Sequence, residues 1–122
     1  MVTKVRIDAR AHFASGESLH RHALATTNDA ELGGAGEEYA RSLTCHSPFD
    51  PSSGSAATEL LAVAMELALR NRRGDAERLL DRAIAIIDAQ ALLYVPLAGE
   101  RDELAGARDM LALRPRRASA RP

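Results

Sequence analysis

Aromatic side chains are scarce in this sequence, which has no tryptophan, two phenylalanines and two tyrosines among its 122 residues. Strands are enriched in aromatic and β-branched residues, so a chain whose apolar residues are mainly alanine, leucine and isoleucine favours closely packed helices over a β-sandwich. Hydrophobic residues make up 46% of the chain. That is enough to bury a core, and the length fits a single domain.

Cysteine is also nearly absent, since Cys45 is the only one, and one cysteine cannot form a disulfide within the chain. The first residues are charged and no apolar region follows them, so no secretory signal peptide is predicted. The longest apolar stretch, from Leu60 to Leu69, contains Glu66 and falls short of the ~20 residues that a membrane span requires. We therefore expect a cytoplasmic protein without a membrane partner.

The formal net charge of −1 hides an uneven distribution. The segment 114–122 carries four arginines and no acidic residue, which leaves a net charge of −5 for residues 1–113. Domains that bind nucleic acid usually gather lysine and arginine on one face, so the acidic body argues against that class. The segment 114–122 has almost no apolar group to bury and is predicted to be a disordered basic tail.

Two amphipathic runs within residues 55–93 predict an antiparallel helical hairpin. Ser55 is expected to be the N-cap of the first helix, Gly74 to follow its last turn, and Asp75 to cap the second helix. The interface of this hairpin should bury the apolar residues on the facing stripes: Leu61, Met65, Leu80, Ile84 and Ile87.

The first helix of the hairpin is apolar over most of its circumference, with a narrow polar strip in which Glu66 and Arg70 have the spacing of an i,i+4 ion pair. A charge-rich fifth helix is predicted at residues 97–113, with leucines recurring every seven residues. Surplus apolar surface on a small domain usually marks an interface, and the commonest closed assembly is a two-fold dimer. We therefore expect a homodimer whose candidate interface residues are Val63, Leu67, Leu97, Leu104 and Leu111.

The N-terminal half gives weaker signals. Residues 2–9 alternate between apolar and polar side chains, which suggests a short strand. Such a strand either pairs with its mate in a dimer or remains an extended arm, and we favour an arm over residues 1–14. Residues 15–43 predict two weak helices, the second capped by Asn28 or Asp29.

Glycine and proline interrupt this half of the chain. Gly33, Gly34 and Gly36 fall within the second weak helix, where each glycine costs about 1 kcal/mol relative to alanine. Residues 44–54 contain two prolines, a glycine and three serines and are predicted to form a loop. The predicted fold is therefore an all-α bundle of four or five helices in one domain, 1–113, with its helical core in residues 55–113.

The four histidines and the single cysteine all precede residue 47. Imidazole and thiolate are ligands of transition metals, so these residues are candidates for a metal site. His20 and His22 diverge if that segment is a helix, and Cys45 and His46 would need further ligands to chelate a metal. Whether these four residues converge is left open by the sequence, and no metal or cofactor is predicted.

Two short stretches resemble known families. The segment from Leu60 to Ile87 resembles one tetratricopeptide-type unit in its helix–turn–helix layout, with Leu79 where that family has alanine. No second copy follows, so the resemblance implies an αα-hairpin and not a solenoid. Residues 22–26 are similar to the phosphorylated-histidine motif of phosphotransfer domains, but Ala25 and Thr26 replace its lysine and glycine.

No motif of an enzyme is present, because the glycine clusters lack the other residues of a nucleophile elbow or a phosphate loop. We therefore expect a non-catalytic, bacterial interaction or regulatory protein that acts through a helical surface, with itself and a second, unidentified protein as partners. The alternative is a small DNA-binding regulator that uses an N-terminal β-ribbon. Its nucleic-acid contacts would be Lys4, Arg6 and Arg10.

Overall fold

The computed structural model describes residues 2–45, 53–90 and 97–113. These residues form five α-helices without a strand: α1 (Val2–Ala25), α2 (Asp29–Cys45), α3 (Ser53–Leu69), α4 (Arg73–Gln90) and α5 (Ala98–Leu113). The all-α, bundle-like fold predicted from the sequence is confirmed. The predicted basic tail, 114–122, lies outside the described residues.

The helices are arranged in two layers. Each helix packs on the next one in the chain, and α2 also packs on α4 and α3 on α5. This pattern places α1, α3 and α5 in one layer and α2 and α4 in the other. Among the described residues, α1 has no comparable contact with α3, α4 or α5, and it approaches α3 through His20 and Glu59, whose Nδ1 and Oε1 atoms are 3.6 Å apart. The first and last helices therefore lie at opposite ends of the array.

Cross-helix hydrogen bonds define the directions of the helices. The buried Ser42 hydroxyl donates to the Ala9 carbonyl at 2.8 Å, near the start of α1 and the end of α2. Arg101 and Arg108 of α5 reach Asp88 and Asp81 of α4, each at 2.8 Å. His22, near the end of α1, lies 2.6 Å from Glu31, near the start of α2. In both helix pairs the residue numbers therefore rise in one helix as they fall in the other, so α1 is antiparallel to α2, and α4 is antiparallel to α5.

The core lies between the two layers and is built from leucine, alanine and few larger residues. Its largest fully buried side chains come from four helices: Leu32, Tyr39, Leu43, Leu60, Val63, Leu80, Ile87 and Leu104. Alanine and glycine fill many of the remaining positions, which lets the helix axes approach closely.

The N-terminal arm predicted for residues 1–14 is a helix in the structure, because α1 begins at Val2. Ala9 is fully buried and Phe13 packs against the ring of Tyr39 with 5.5 Å between ring centroids. The same segment therefore contributes one helical face to the core. A run of eight residues that alternates in polarity is too short to separate a period of two from a helix that buries only every third or fourth side chain.

Helix α2 is continuous through its glycines, contrary to the predicted interruption. A Cβ atom at Gly36 would lie 2.6 Å from Cδ2 of Leu79 on α4 and 3.3 Å from Cγ1 of Val63 on α3. A Cβ atom at Gly16 of α1 would likewise lie 2.8 Å from Cε1 of Tyr39 on α2. These glycines occupy helical positions because the neighbouring helix leaves no room for a side chain.

The predicted N-cap of α2 is confirmed at Asn28, whose Oδ1 accepts a hydrogen bond from the Glu31 amide at 3.1 Å. Helix α3 begins at Ser53, two residues before the expected cap at Ser55. Helix α2 extends to Cys45, so the predicted loop at 44–54 is shorter than expected at both ends.

The turn between α3 and α4 is closed by Asn71, which has a left-handed backbone with φ of 68°. The Arg72 amide donates to the Leu67 carbonyl at 2.8 Å, and the Asn71 amide donates to the Ala68 carbonyl at 3.1 Å. This hydrogen-bond pattern is a Schellman motif, in which asparagine replaces the more usual glycine.

Gly74 and Asp75 do not have the roles expected from the sequence, because both already lie inside α4. Asp75 accepts hydrogen bonds from Arg72, at 2.8 Å, and from Arg78. These guanidinium groups hold the pKa of the Asp75 carboxyl below its usual range, with the Arg72 hydrogen bond as the main cause.

The hairpin interface differs from the prediction mainly at Met65, which is 37% exposed. Leu80 and Ile87 are buried as expected, while Leu61 and Ile84 are partly buried. Helix α3 packs on α2 and α5 as well as on α4. The side of α3 that faces the core is therefore rotated away from Met65. The residues that it buries instead are Leu60, Val63, Ala64 and Leu67.

Arg70 joins the ends of three helices. Its guanidinium donates to Glu66 at 3.0 Å, which confirms the predicted i,i+4 pair. It also donates to the Asp29 carboxylate at 3.1 Å and to the Ala23 carbonyl at 2.9 Å. One side chain therefore ties the end of α3 to the last turn of α1 and the first turn of α2.

Helices α1 and α2 are also linked by His12 and Glu38, whose Nδ1 and Oε1 atoms are 2.9 Å apart. Arg41 donates to the other oxygen of the same carboxylate at 2.6 Å. The pKa of Glu38 is lowered, chiefly by the His12 hydrogen bond and further by Arg41, against the opposing effect of desolvation.

We predict that Gly16→Ala lowers the free energy of unfolding by about 1–3 kcal/mol, because the new methyl group overlaps the buried Tyr39 ring. The matched control is Gly33→Ala, where a Cβ atom meets nothing within 4 Å. That variant should gain up to about 1 kcal/mol from helix propensity. Urea unfolding measures both values, and equal effects of the two substitutions would contradict the close α1–α2 contact.

The pH dependence of stability should contain a contribution from Glu38. Because its pKa in the folded chain lies below the ordinary value of 4.5, its contribution is fully present above that value and is lost as the pH falls through the lowered pKa. Glu38→Gln should therefore reduce the loss of stability between about pH 5 and pH 3. Glu103→Gln, which removes an exposed carboxylate, is the control, and an unchanged slope in Glu38→Gln would refute the assignment.

Candidate functional site

The five residues predicted to form a dimer interface lie in the core of the single chain. Val63 is fully buried, and Leu67 and Leu97 are almost so. Leu104 and Leu111 of α5 are covered in the same way and anchor α5 on the other helices. Folding of the single chain already buries these side chains, so the predicted homodimer would need other residues at its interface.

The large apolar side chains that are exposed among the described residues belong to one layer. Among the described residues, the large hydrophobic side chains that are exposed come from α1, α3 and α5, and none comes from α2 or α4. They are Leu24, Met65, Leu69, Met110 and Leu113, with exposed fractions between 37% and 82%.

Helix α3 lies in the middle of that layer and presents an uncharged stripe to the outside. The stripe consists of the exposed residues Ser55, Thr58, Ala62, Met65 and Leu69. Successive members are three or four residues apart, so they follow one line along the helix. The charged residues of this helix, Glu59 and Glu66, lie on the side toward α1 and α2, as does Arg70, which directly follows the helix and makes its contacts there.

The neighbouring helices continue this surface on both sides of the stripe. Leu24 of α1 lines the same cleft as Glu59 of α3. On α5, Arg101 and Arg108 pair with α4, and helical spacing places Met110 on the opposite flank, toward α3. We call the stripe, together with Leu24 and Met110, the outer face.

A shallow cleft of about 230 Å³ opens between α1 and α3 at the edge of the outer face. Its base is formed by Tyr39, which is fully buried, and by His20, whose Nδ1 lies 3.3 Å from the phenol oxygen. The two rings meet edge to face with centroids 5.9 Å apart. The walls are completed by Glu17, Arg21, Leu24 and Glu59.

The main perturbed ionisable group of this cleft is the Tyr39 phenol. Burial raises the pKa of the Tyr39 phenol, and the carboxylates of Glu59 and Glu17 raise it further. The phenol is therefore neutral across the physiological range, and its oxygen lies within hydrogen-bond distance of His20 Nδ1. A phenol held in this state is neither a general base nor a nucleophile.

The outer face is bordered by carboxylates that lack an arginine partner among the described side chains. Glu17 has no ion pair there, and Glu59 approaches only His20, at 3.6 Å. On the other flank, Glu103 is exposed two turns before Met110. By contrast, the acidic residues of α4 are matched by arginines: Asp75, Glu77, Asp81 and Asp88 each have one within ion-pair distance.

Among the described residues, His12, His20, His22 and Cys45 have separate surroundings and do not converge on one site. His12 lies beside Glu38, and His22 lies 2.6 Å from Glu31. Cys45 is half-buried, and its pKa is raised by burial and by Asp8. No group of three potential ligands that could hold a metal ion occurs in the described ranges, and His46 lies outside them.

The β-ribbon of the alternative DNA-binding model has no strand to form it, because residues 2–9 belong to α1. Lys4, Arg6 and Arg10 lie on that helix, and the side chain of Arg10 is exposed. Sequence reasoning predicted an interface on α3 but placed it at Val63 and Leu67, which are buried, and assigned the exposed Met65 to the core.

Comparisons with protein-family models, with curated proteins and with solved structures found no match to this chain. Among the described residues, no helix is both long and apolar enough to cross a membrane.

Proposed function

We propose that this chain is a non-catalytic interaction protein and that the outer face is its binding surface. The observation that carries the proposal is the confinement of exposed large apolar side chains to α1, α3 and α5. A single exposed leucine needs no explanation, but a group of them along one layer of a small protein is typical of a surface that a partner covers.

The uncharged stripe on α3 supports the same proposal. A helix face that meets only water usually carries charged residues, as α4 does with its arginine–carboxylate pairs. The stripe instead combines two small hydroxyl side chains, an alanine and two long apolar side chains. Small residues allow close approach of a partner backbone, while methionine and leucine supply apolar area that can adapt to it.

A partner protein is favoured over a second copy of this chain. In a two-fold dimer built on the outer face, the same surface meets itself, so the borders that contain Glu17, Glu59 and Glu103 would approach each other. Like charges brought together in this way oppose association. We therefore propose a monomer of 13.1 kDa in the absence of its partner.

The proposal predicts that an uncharged polarity-sensitive dye such as Nile red binds the outer face. Replacing Met65 and Leu69 together with glutamine should remove more than about half of its fluorescence enhancement, because most of the stripe's apolar area is lost. The matched control is the double substitution of Ala85 and Ala89 with glutamine at exposed positions of α4. Equal enhancement in the wild type and both variants would contradict the proposal.

Sedimentation velocity on the same three proteins tests whether a second copy of the chain covers the outer face. A monomer at all concentrations is the expected result. A dimer in the wild type and the α4 variant that dissociates in the Met65, Leu69 variant would show that a second copy covers the face.

A further inference from the structure

We infer that the partner is a basic amphipathic helix, with an apolar stripe flanked by lysine or arginine. This inference rests on the proposed function, because it identifies what covers the outer face. It adds the chemistry of the occupant, which the apolar residues alone do not specify.

The shape of the apolar part fits a helix. The stripe on α3 runs from Ser55 to Leu69, which corresponds to about 21 Å along the helix axis. Its residues follow the i, i+3, i+4 spacing that a partner helix needs in order to lay its own apolar side along it. Met110 extends the apolar surface toward α5, and Leu24 adds an apolar side chain across the cleft, beyond Glu59, so the surface is wider than a single ridge.

The negative charge at the edges of the outer face indicates basic side chains on the flanks of the partner. On the side toward α1, Glu17 and Glu59 line the cleft, and Arg21 is the one arginine among the cleft residues. On the side toward α5, Glu103 shares the flank of Met110. Carboxylates border the apolar stripe on both sides, and none of the three has an arginine partner among the side chains described. Basic side chains on both edges of a bound helix would supply the missing opposite charges.

The same charges disfavour the other large classes of partner. Nucleic acid and anionic lipid surfaces carry negative charge and would be repelled by these borders. Helix α4 offers no comparable alternative, because its arginines are already paired with carboxylates on α2 and on α4 itself.

The test uses the full chain and two synthetic helical peptides that differ only in charge. One is an amphipathic leucine–lysine peptide of about four turns, and the other has glutamate in place of each lysine. Fluorescence anisotropy measures the dissociation constant of each at low and moderate salt. The leucine–lysine peptide should bind at least about tenfold more tightly than its acidic counterpart, and added salt should weaken its binding.

Variants of the chain separate the apolar from the charged contribution. Glu17→Lys should weaken binding of the leucine–lysine peptide about tenfold, and Ala85→Lys, which places the same charge on α4, should leave it unchanged. Glu17 has no ion pair among the described side chains, so this substitution breaks none, and circular dichroism checks that the fold is retained. The double Met65→Gln, Leu69→Gln variant should weaken both peptides.

The outcomes are distinguishable. If both peptides bind equally and Glu17→Lys has no effect, while the Met65, Leu69 variant still loses binding, the basic partner is refuted and the apolar binding surface stands. If the Met65, Leu69 variant binds either peptide as the wild type does, the proposed function fails together with this inference. Binding to vesicles that contain anionic phospholipid, lost on the Met65, Leu69 substitution, would replace the helix with a membrane surface.

Discussion

Helix α2 approaches α1 and α4 at distances that require glycine at two positions. The ring of Tyr39 rests on Gly16 of α1, and the side chain of Leu79 on α4 occupies the space beside Gly36. Dispersion contacts of this kind are individually small, but they set how deeply the helices interdigitate. With α2 held between two neighbours, the layer of α2 and α4 is fixed, and the positions of the other three helices follow from it.

The packing of α3 within the layer of α1, α3 and α5 accounts for its burial and supports its proposed role. Its inner side is shared by α2, α4 and α5, so the most apolar helix of the chain is covered on three sides. Its remaining side is left at the surface without charge. Charged residues are concentrated where they join helices, as at Arg70 and along α4 and α5. Arginine–carboxylate pairs are common elsewhere in the described residues but are absent from this stripe. The bordering carboxylates Glu17, Glu59 and Glu103 have no arginine partner among those residues. Such a surface is suited to an apolar and basic partner.

Much of the fold could be predicted from the sequence, because helix periodicity and caps are local signals. The five helices, the Asn28 cap and the Glu66–Arg70 pair belong to this class. The failures concern information that is not local. Gly36 predicts an interruption of the helix unless its contact with Leu79 is known. The alternation in residues 2–9 predicts a strand unless the packing of Phe13, on the same helix, against Tyr39 is known.

The candidate site was harder to predict for the same reason. A leucine at a seven-residue interval is equally suited to a core and to an interface, and only the packing of α5 shows that Leu104 and Leu111 are buried. Met65 lies near the edge of the apolar arc of α3, where a modest rotation about the helix axis decides between the core and the surface. The number and the position of the neighbouring helices determine that rotation, and the sequence of α3 alone does not contain it.

The most direct test of the central claim is to map where a leucine–lysine helical peptide binds, by following backbone amide resonances of the full chain during a titration. We expect the largest shifts in α3 at residues 55–69, with smaller ones on the adjoining flanks of α1 and α5. Shifts concentrated in α2 or α4, or spread evenly over all five helices, would contradict the claim.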